Sequence, residues 1–388
     1  MEPKQAMLEP WKNRAKSLLE ARFIERINRF CLLCKTKKGF EVLAHLPNPG
    51  RLQELLLPEV KLLLEKHCEE SSRKTNYTVV YVEKNGLPVF LHTNRANDIV
   101  ARLLQSQAIP EFKDSIDFTR EVKSESSRFD FLLHRRVGPL YLEVKSCTHF
   151  ANGIAMFPDA PTSRGKRHIE HLTTLSREKL VETAILFIVH SAKVDYFMPD
   201  FHTDLPFAQS LARARSNVSI FAYSLPWTIN RNIALPLRKL SIPWEHIERQ
   251  LDDKGSYILI LELQCAKVSK LGSLGSFNFK KGYYLYVGSA MKNLDKRVSR
   301  HMRKRKKLFW HIDYLGKLAD GIRYQVIRSC SKQECQLSKS LASIFPAGPK
   351  GFGSSDCSCK THLYYSKLDP LKSAAFHSCL EKFRFSLD

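Results

Sequence analysis

Asp130, Glu143 and Lys145 have the residue types and spacing of a metal-assisted hydrolytic site. The stretch SRFDFLLHRRVGPLYLEVKSC, residues 127–147, reads as two adjacent strands joined by a turn. Phe129, Phe131 and Leu133 alternate around Asp130, and His134 to Pro139 bring charge, Gly and Pro for a reversal. In the second strand, period-2 geometry puts Leu142 and Val144 on one face and Glu143 and Lys145 on the other. If the strands pair, Asp130 lies beside Glu143. Side-by-side carboxylates repel unless a divalent cation sits between them, and Mg²⁺ favours such a pair plus phosphate oxygens. A lysine two residues on orients an attacking water or neutralises charge developing on phosphate. This order, D-x₁₂-E-x-K, is a pattern of metal-dependent DNA cleavage. E-x-K by itself is common, and the alternative is an incidental Glu–Lys pair on the solvent face of a hairpin. The apolar strands around it favour the site.

The chain of 388 residues is long enough for two or three domains with their own cores. Its 62 Lys and Arg against 39 Asp and Glu give a net charge of +23, which points to a polyanion, most simply nucleic acid. For solubility alone, acidic residues work better. No apolar run approaches the ~18–20 residues of a membrane span. The opening MEPKQAMLEPWKNR lacks a basic-then-apolar signal. The expectation is a cytoplasmic protein with no membrane partner. Ten cysteines are too sparse for a disulfide scaffold, so reduced core thiols are expected, including Cys31 and Cys34 of the lone C-x-x-C.

The elements that must position the acids follow from the pattern. Residues 8–22 read as a short peripheral helix. From Phe23 to about Thr93 the chain is β-rich, and Asn85–Gly86 carries the type I′ turn signal of a hairpin. Five or so short strands interrupted by HLPNPGRLQELLLP suggest a small OB-like barrel, a fold that binds single strands by stacking and charge. Arg51 to Leu57 reads as one helical turn or more. His45, Asn48 and Arg51 either touch phosphate or form the turn. Residues 94–107 are helical, with Ala96, Ile99, Val100, Leu103 and Leu104 on one face. Glu121 falls on the strand before Asp130. After Pro158 and Pro161, Thr162 or Ser163 begins a helix carrying Arg164, Lys166 and His168, and a helix N-terminus near the acids suits a phosphate. TAILFIVH reads as a buried strand, 205–215 as a helix and SIFAYSL as a last strand, giving a mixed α/β sheet.

Residues 23–225 resemble the sugar fermentation stimulation protein A family. The resemblance rests on HLPNPGRLQELL, RKTNY, NRAN, SRFDFLL, LEVKS, FPDAPTSRGKRHIEHL and ILFIV, in that order. It implies DNA binding, an OB-like N-terminal domain and a PD-(D/E)xK nuclease-like domain. On it, Asp130, Glu143 and Lys145 fall on the nuclease motif, with Glu121 as an accessory acid. The family name implies a role in sugar-gene regulation.

Residues 226–251, with Pro226, Pro236 and Pro243, read as a linker with little structure. Beyond it, residues 252–388 hold 25 Lys and Arg against 11 Asp and Glu, a net +14 in about a third of the chain. SYILILEL and GYYLYVGSA are strands, and MKNLDKRVSRHMRKRKK is a helix with Arg297, Arg300, His301 and Lys304 on one face for phosphate contact. This unit resembles the GIY-YIG nuclease superfamily, and more closely a GIY-YIG-like family of undefined function. Gly255-Ser256-Tyr257 and Tyr286-Val287-Gly288 stand for the two tripeptides, with a longer gap than usual and Ser256 in place of Ile. The resemblance makes Tyr257 and Tyr286 proton-handling residues, Arg297 the phosphate clamp and Glu334 a metal ligand. Glu334 has a second reading, since Ser331-x-x-Glu334 is a capping box. His311 and Asp313 of WHIDYL either line the site or pack. Cys357-x-Cys359-x₂-His362, with Cys335 as a fourth ligand, is dense enough for Zn²⁺, although reduced thiols in a Gly/Ser loop are the favoured reading.

The sequence thus predicts an α/β (α+β) chain: extension 1–22, OB-like domain 23–105, PD-(D/E)xK-like domain 106–225, linker 226–251, GIY-YIG-like domain 252–365 and tail 366–388. The expected function is DNA binding with Mg²⁺- or Mn²⁺-dependent phosphodiester hydrolysis. The alternatives are a non-catalytic DNA-binding regulator and an RNA-binding or processing protein.

Overall fold

The computed structural model describes residues 6–10, 18–67, 75–124, 127–178, 181–271 and 274–387. The chain divides into two compact units, Met1–Ile247 and Glu248–Asp388.

The first unit opens with six strands in the spatial order Glu41–His45, Cys31–Thr36, Leu19–Asn28, Lys61–Lys66, Tyr77–Lys84 and Leu87–Phe90. Pairing of Ala44 with Tyr77 and His45 with Thr78 closes the sheet on itself as an OB-like barrel. Asn85 and Gly86 both have positive φ, +54° and +78°, which a two-residue I′ hairpin requires. Leu52, Leu55 and Leu56 fill the interior with Leu32, Leu62, Leu64 and Val79. That loop contains one helical turn only, in which the Leu56 N–H bonds to the Leu52 carbonyl at 2.9 Å. The helix expected over residues 8–22 is not what forms at its two ends. Met7–Leu8 and Leu19–Asn28 are strands, the second with Ala21 and Phe23 buried at period 2, and residues 11–17 lie outside the described residues.

A second six-stranded sheet runs in the order Arg238–Lys239, Ser219–Ser224, Glu182–Val189, Leu140–Cys147, Ser127–Arg135, Ser115–Ser124. Leu140–Cys147, Glu182–Val189 and Ser219–Ser224 are mutually parallel and the outer pairs antiparallel. Glu182–Val189 is apolar on both faces because both are covered. Ile99, Val100 and Leu103 of helix Ala96–Gln105 pack on the side of Leu142, Val144 and Leu186. Helices Ser163–Glu178 and Leu205–Ala214 pack on the side of Ile185 and Phe187.

Residues 226–251 are not the unstructured linker expected. Ile233–Ala234 pairs with Met7–Leu8, Arg238–Lys239 extends the second sheet, and Trp244–Gln250 is a helix. Trp227 is buried against Tyr81 and Phe90, with ring centroids at 5.5 and 5.4 Å. Three prolines hide the period, but one large aromatic gains enough from burial to hold the segment down.

The second unit is a four-stranded antiparallel sheet in the order Gly321–Arg328, Gly255–Leu263, Gly282–Ala290, Leu363–Ser366. Tyr257, Leu259 and Leu261 pack with helices Leu294–Met302 and His311–Leu318. Ile258 and Ile260 pack with helices Glu334–Ala342 and Ala374–Arg384. Phe376, Leu380 and Phe383 complete that face, so the expected tail is part of the domain. The hairpin of Lys267–Lys270 with Ser276–Phe279 fills the long gap between the two tripeptides. The expected basic helix stops at Met302, because the five consecutive cations Arg303 to Lys307 repel along a helix, and Lys304 lies beyond its end.

Candidate functional site

Two constellations stand out, one in each unit. In the first, Leu140, Tyr141 and Leu142 pair with Leu133, Leu132 and Phe131, and the next step of that register sets Glu143 opposite Asp130. Ladder pairing stops there because the Asp130 carboxylate takes its place. Its Oδ2 accepts the Val144 N–H at 2.8 Å and its Oδ1 accepts from Asn97 Nδ2 at 2.7 Å. Glu143 is 3% exposed, and its Oε1 meets both the Lys145 ammonium and His168 Nδ1. Its Oε2 is buried with no hydrogen-bond partner among the described residues. Burial, then the Glu143 charge, pushes the Asp130 carboxyl above its ordinary range. Burial acts on Glu143 in the same sense, but Lys145 and His168 outweigh it and hold that carboxyl low.

A cavity of about 530 Å³ opens at this pair, lined among others by Asn48, Asn97, Glu121, Lys145, Asp159 and Arg164. Glu121 sits at φ +57° and pairs with Arg128 at 3.1 Å. Asn97 and Asp159 are site residues that sequence reasoning missed. Asn97 lies within the NRAN segment and Asp159 within FPDAPTSRGKRHIEHL, so both stood in stretches that carry the resemblance, which was a usable signal. Burial, then Glu54, pushes the Asp159 carboxyl up to about 6.

The other expected contacts of this unit divide. Arg164 lines the cavity, but Lys166 pairs with Glu170 at 3.6 Å outside it. His168 is buried and serves Glu143, so it is not a phosphate contact. Asn48 is a turn former: it is buried, and its Oδ1 accepts the Gly50 N–H at 2.9 Å. His45 lies outside the cavity lining, with its ring 6.4 Å from that of Phe30. Arg51 is also outside the lining, and its carbonyl accepts from Arg26 at 2.5 Å.

In the second unit Tyr257, Tyr286, Arg297 and Glu334 converge within electrostatic reach of one another. The Tyr257 ring lies so close to the neighbouring strand that a Cβ at Gly288 would stand 2.5 Å from it, which is why the second tripeptide ends in glycine. The Tyr257 hydroxyl lies 2.9 Å from His301 Nε2. Burial pushes both phenols above their ordinary range, and Arg297 beside Tyr257 offsets this only in part. Burial also lowers His301 to about 4, so at neutral pH it is an uncharged acceptor and not the phosphate-facing cation expected. The Arg297 guanidinium lies 4.5 Å from the Trp310 ring centroid.

Arg300 is likewise not a phosphate contact. Its Nη1 and Nη2 each donate at 2.9 Å to Asp313, which is fully buried and also accepts the Phe309 and Trp310 N–H groups. Asp313 therefore packs, and His311 Nδ1 accepts from the Gly353 N–H at 3.4 Å. The Ser331 capping box does not form, because helix Glu334–Ala342 begins at Glu334 itself, with Gln333 at the N-cap. One Glu334 oxygen accepts from the Ser289 hydroxyl and the other lies 3.0 Å from His362 Nδ1. Burial raises the Glu334 carboxyl, but His362 and Ser289 prevail and lower it. Cys335, Cys357, Cys359 and His362, scattered in the sequence, offer ligand atoms all within 4.8 Å of one another.

A closed barrel joined to a mixed sheet that presents paired acids to a cavity defines a two-module class of protein, here with a third α/β module after it. Residues 24–91 match the model of the SfsA N-terminal OB domain, and residues 94–231 that of the sugar fermentation stimulation protein RE domain. A sugar fermentation stimulation protein homolog of Methanothermobacter thermautotrophicus is 35% identical over 228 residues, 58% of this chain and 94% of that one. The homolog of Chloroflexus aurantiacus is 41% identical over 210 residues, 54% of this chain and 80% of that one. The chain belongs to the sugar fermentation stimulation protein family. A solved structure, Pyrococcus furiosus SfsA in complex with Ca²⁺, superposes with a TM-score of 0.54 at 27% identity, covering 59% of this chain and 96% of that one. Residues 256–385 match the domain of unknown function DUF123.

Proposed function

We propose that this chain binds nucleic acid, DNA in the first place, and hydrolyses its phosphodiester bonds at the Asp130–Glu143 pair with a divalent cation. The observation that carries the reading is Glu143 Oε2, a buried carboxylate oxygen without a hydrogen-bond partner among the described residues, beside a second carboxylate, in a cavity that also holds Lys145 and Arg164. An orphaned anionic oxygen in that position costs several kcal/mol unless a cation meets it. Mg²⁺ or Mn²⁺ fits the oxygen donors, and Pyrococcus furiosus SfsA, a structural neighbour, is in complex with a divalent ion, Ca²⁺. When bound, such an ion supplies Lewis acidity and lowers the pKa of a coordinated water. Asn97 and the Val144 N–H fix the Asp130 oxygens, and His168 fixes Glu143. Lys145 balances charge beside them, and Arg164 offers a guanidinium to a phosphate at the cavity wall. The net charge of +23 supplies the sequence-independent attraction to the backbone.

The second unit reads as a further phosphodiester site of the GIY-YIG kind, with Arg297 as clamp, Glu334 as ligand and Tyr257 and Tyr286 beside them. Neutral His301, 2.9 Å from the Tyr257 hydroxyl, holds that phenol in orientation, and the phenol keeps its own proton because burial raises it and lowers the imidazole.

The test is cleavage of duplex, branched and single-stranded DNA and of RNA with Mg²⁺ or Mn²⁺, for wild type, Asp130→Ala, Arg297→Ala and the double variant. Asp130→Ala is expected to lower cleavage at the first site at least about 10³-fold, about 4 kcal/mol of barrier, with DNA affinity nearly unchanged. Isothermal titration of Mn²⁺ gives the independent readout. Firm, salt-dependent binding with no turnover on any substrate would make the chain a DNA-binding regulator, and cleavage confined to RNA would make it an RNA-processing protein.

A further inference from the structure

Cys335, Cys357, Cys359 and His362 form, we propose, a four-coordinate zinc centre, with His362 joining that centre to Glu334. The four ligands come from elements that the fold fixes separately. Cys335 is the second residue of helix Glu334–Ala342, which fixes its backbone. Cys357 and Cys359 belong to the turn-rich stretch 346–362, in which Gly351 and Gly353 take φ of +79° and +66°. His362 is 1% exposed, its carbonyl accepts the Val287 N–H at 2.9 Å and its own N–H bonds to the Phe352 carbonyl at 2.8 Å. The imidazole is thus anchored to strand Gly282–Ala290 independently of any ligand.

The donor set selects the metal. Three sulfurs and one imidazole nitrogen suit Zn²⁺ and not Mg²⁺ or Ca²⁺, which take oxygen. A tetrahedral site with Zn–S bonds of about 2.3 Å has ligand–ligand edges of about 3.8 Å. One ligand atom from each residue already lies within 4.8 Å of the other three, so small rotamer shifts suffice to close the tetrahedron. The three cysteines are free thiols in this arrangement. With four protein ligands and no open position, the centre is structural. It ties the stretch 346–362 to the start of helix Glu334–Ala342.

The two ring nitrogens of His362 face different partners. Nε2 lies 3.5 Å from Cys357 Sγ, on the cluster side, and Nδ1 lies 3.0 Å from Glu334 Oε1. Metal on Nε2 leaves Nδ1 carrying the proton; Nδ1 is 3.0 Å from Glu334 Oε1 without an aligned hydrogen bond, and a small ring rotation on metal binding would complete a carboxylate–histidine–zinc triad. Glu334 then becomes a positioned carboxylate whose orientation depends on the zinc. The zinc centre stands without the nuclease reading. The link from it to a working Glu334 rests on that reading.

The full-length chain, purified with a thiol reductant and without chelator, is expected to contain one zinc per chain by mass spectrometry of the metal. After stripping, Co²⁺ is expected to restore one equivalent with the charge-transfer bands of thiolate ligation. Cys335→Ser and Cys359→Ser should each lose the metal, while Cys265→Ser, at an exposed cysteine outside the cluster, should keep it. Zinc that stays absent after reconstitution of the wild type, or that survives in both cluster variants, overturns the centre. The wild-type Co²⁺ spectrum decides the matter even if the variants do not fold. For the link, Mn²⁺ affinity of the second unit is measured in the Asp130→Ala background, with and without zinc. A 10–100-fold loss on stripping is expected. Unchanged Mn²⁺ affinity overturns the link. Absence of Mn²⁺ binding in the zinc-loaded protein overturns the Glu334 ligand role while leaving the zinc stoichiometry intact.

Discussion

The two constellations solve opposite electrostatic problems. In the first unit two carboxylates are buried side by side, with Lys145 in direct contact with only one of them. In the second unit a fully buried carboxylate, Asp313, gathers the cations Arg300 at 2.9 Å and Lys306 at 3.7 Å, with neutral His301 also at 3.7 Å. The first arrangement places two buried carboxylates together and leaves Glu143 Oε2 without a hydrogen-bond partner among the described residues. The second neutralises its acid with protein cations, with Arg297 stacked on the Trp310 ring beside them. The same residue type therefore has different surroundings: Asp130 lies beside a second acid, whereas Asp313 lies between Arg300 and Lys306.

The largest expected effect comes at Asp313. Asp313→Ala leaves Arg300 and Lys306 without their buried counter-ion and is expected to destabilise the second unit by about 3–5 kcal/mol, read by chemical denaturation. If the loss were no greater than that of a surface pair, the contrast between the two sites would fail.

Next in size, Asn97→Ala removes the amide that holds Asp130 Oδ1. It is expected to weaken Mn²⁺ binding at the first site by about 10–100-fold, with the second unit unaffected, by calorimetric titration. An unchanged affinity would mean that Asn97 only packs.

A pH measurement sharpens the comparison from outside both sites. His190 is buried, accepts from Trp227 Nε1 on Nδ1 at 3.0 Å and meets Ser146 Oγ through Nε2 at 2.9 Å. Burial lowers it to about 3. Its folded value lies below its unfolded value, so the unfolded chain binds the extra proton between the two. The stability it contributes is complete above about pH 6.5 and is lost as pH falls toward about 3, at up to about 1.4 kcal/mol per pH unit. His190→Gln is expected to flatten the acid limb of the melting-temperature profile of the first unit; an unaltered limb would put the protonation elsewhere.

The smallest effect separates two neighbours on helix Ser163–Glu178. Lys166→Ala removes an exposed i,i+4 pair and is expected to change stability by no more than about 0.5 kcal/mol. Arg164→Ala, at the cavity wall, should weaken DNA binding more than Lys166→Ala does, by fluorescence anisotropy at matched salt. Equal losses would assign both to a general electrostatic surface.

Much of this was legible in the chain. The period-2 alternation around Asp130 and Glu143 predicts their juxtaposition, and the strand register delivers it. The Asn85–Gly86 turn, the helix over Ala96–Gln105 and the buried strand Glu182–Val189 follow from local pattern in the same way. The errors fall where local pattern and tertiary contact disagree. Prolines concealed that residues 226–251 contribute Trp227 and two short strands to the first unit. Helical spacing placed Arg297, Arg300 and His301 on one face, and all three do meet Trp310, yet their polar groups part: Arg300 is clamped by Asp313 and His301 meets Tyr257.

The sequence by itself determined which residues could do chemistry and which strands and helices carry them, because periodicity and turn chemistry act over a few residues. Only the tertiary structure decided their roles. Whether Glu334 caps a helix or faces His362, whether Arg300 is free or clamped, and whether Cys335 meets Cys357 and Cys359 all depend on partners tens of residues away. Charge and desolvation act through space, so a side chain's protonation, its counter-ion and its availability to a ligand are fixed only once distant segments have been packed against it.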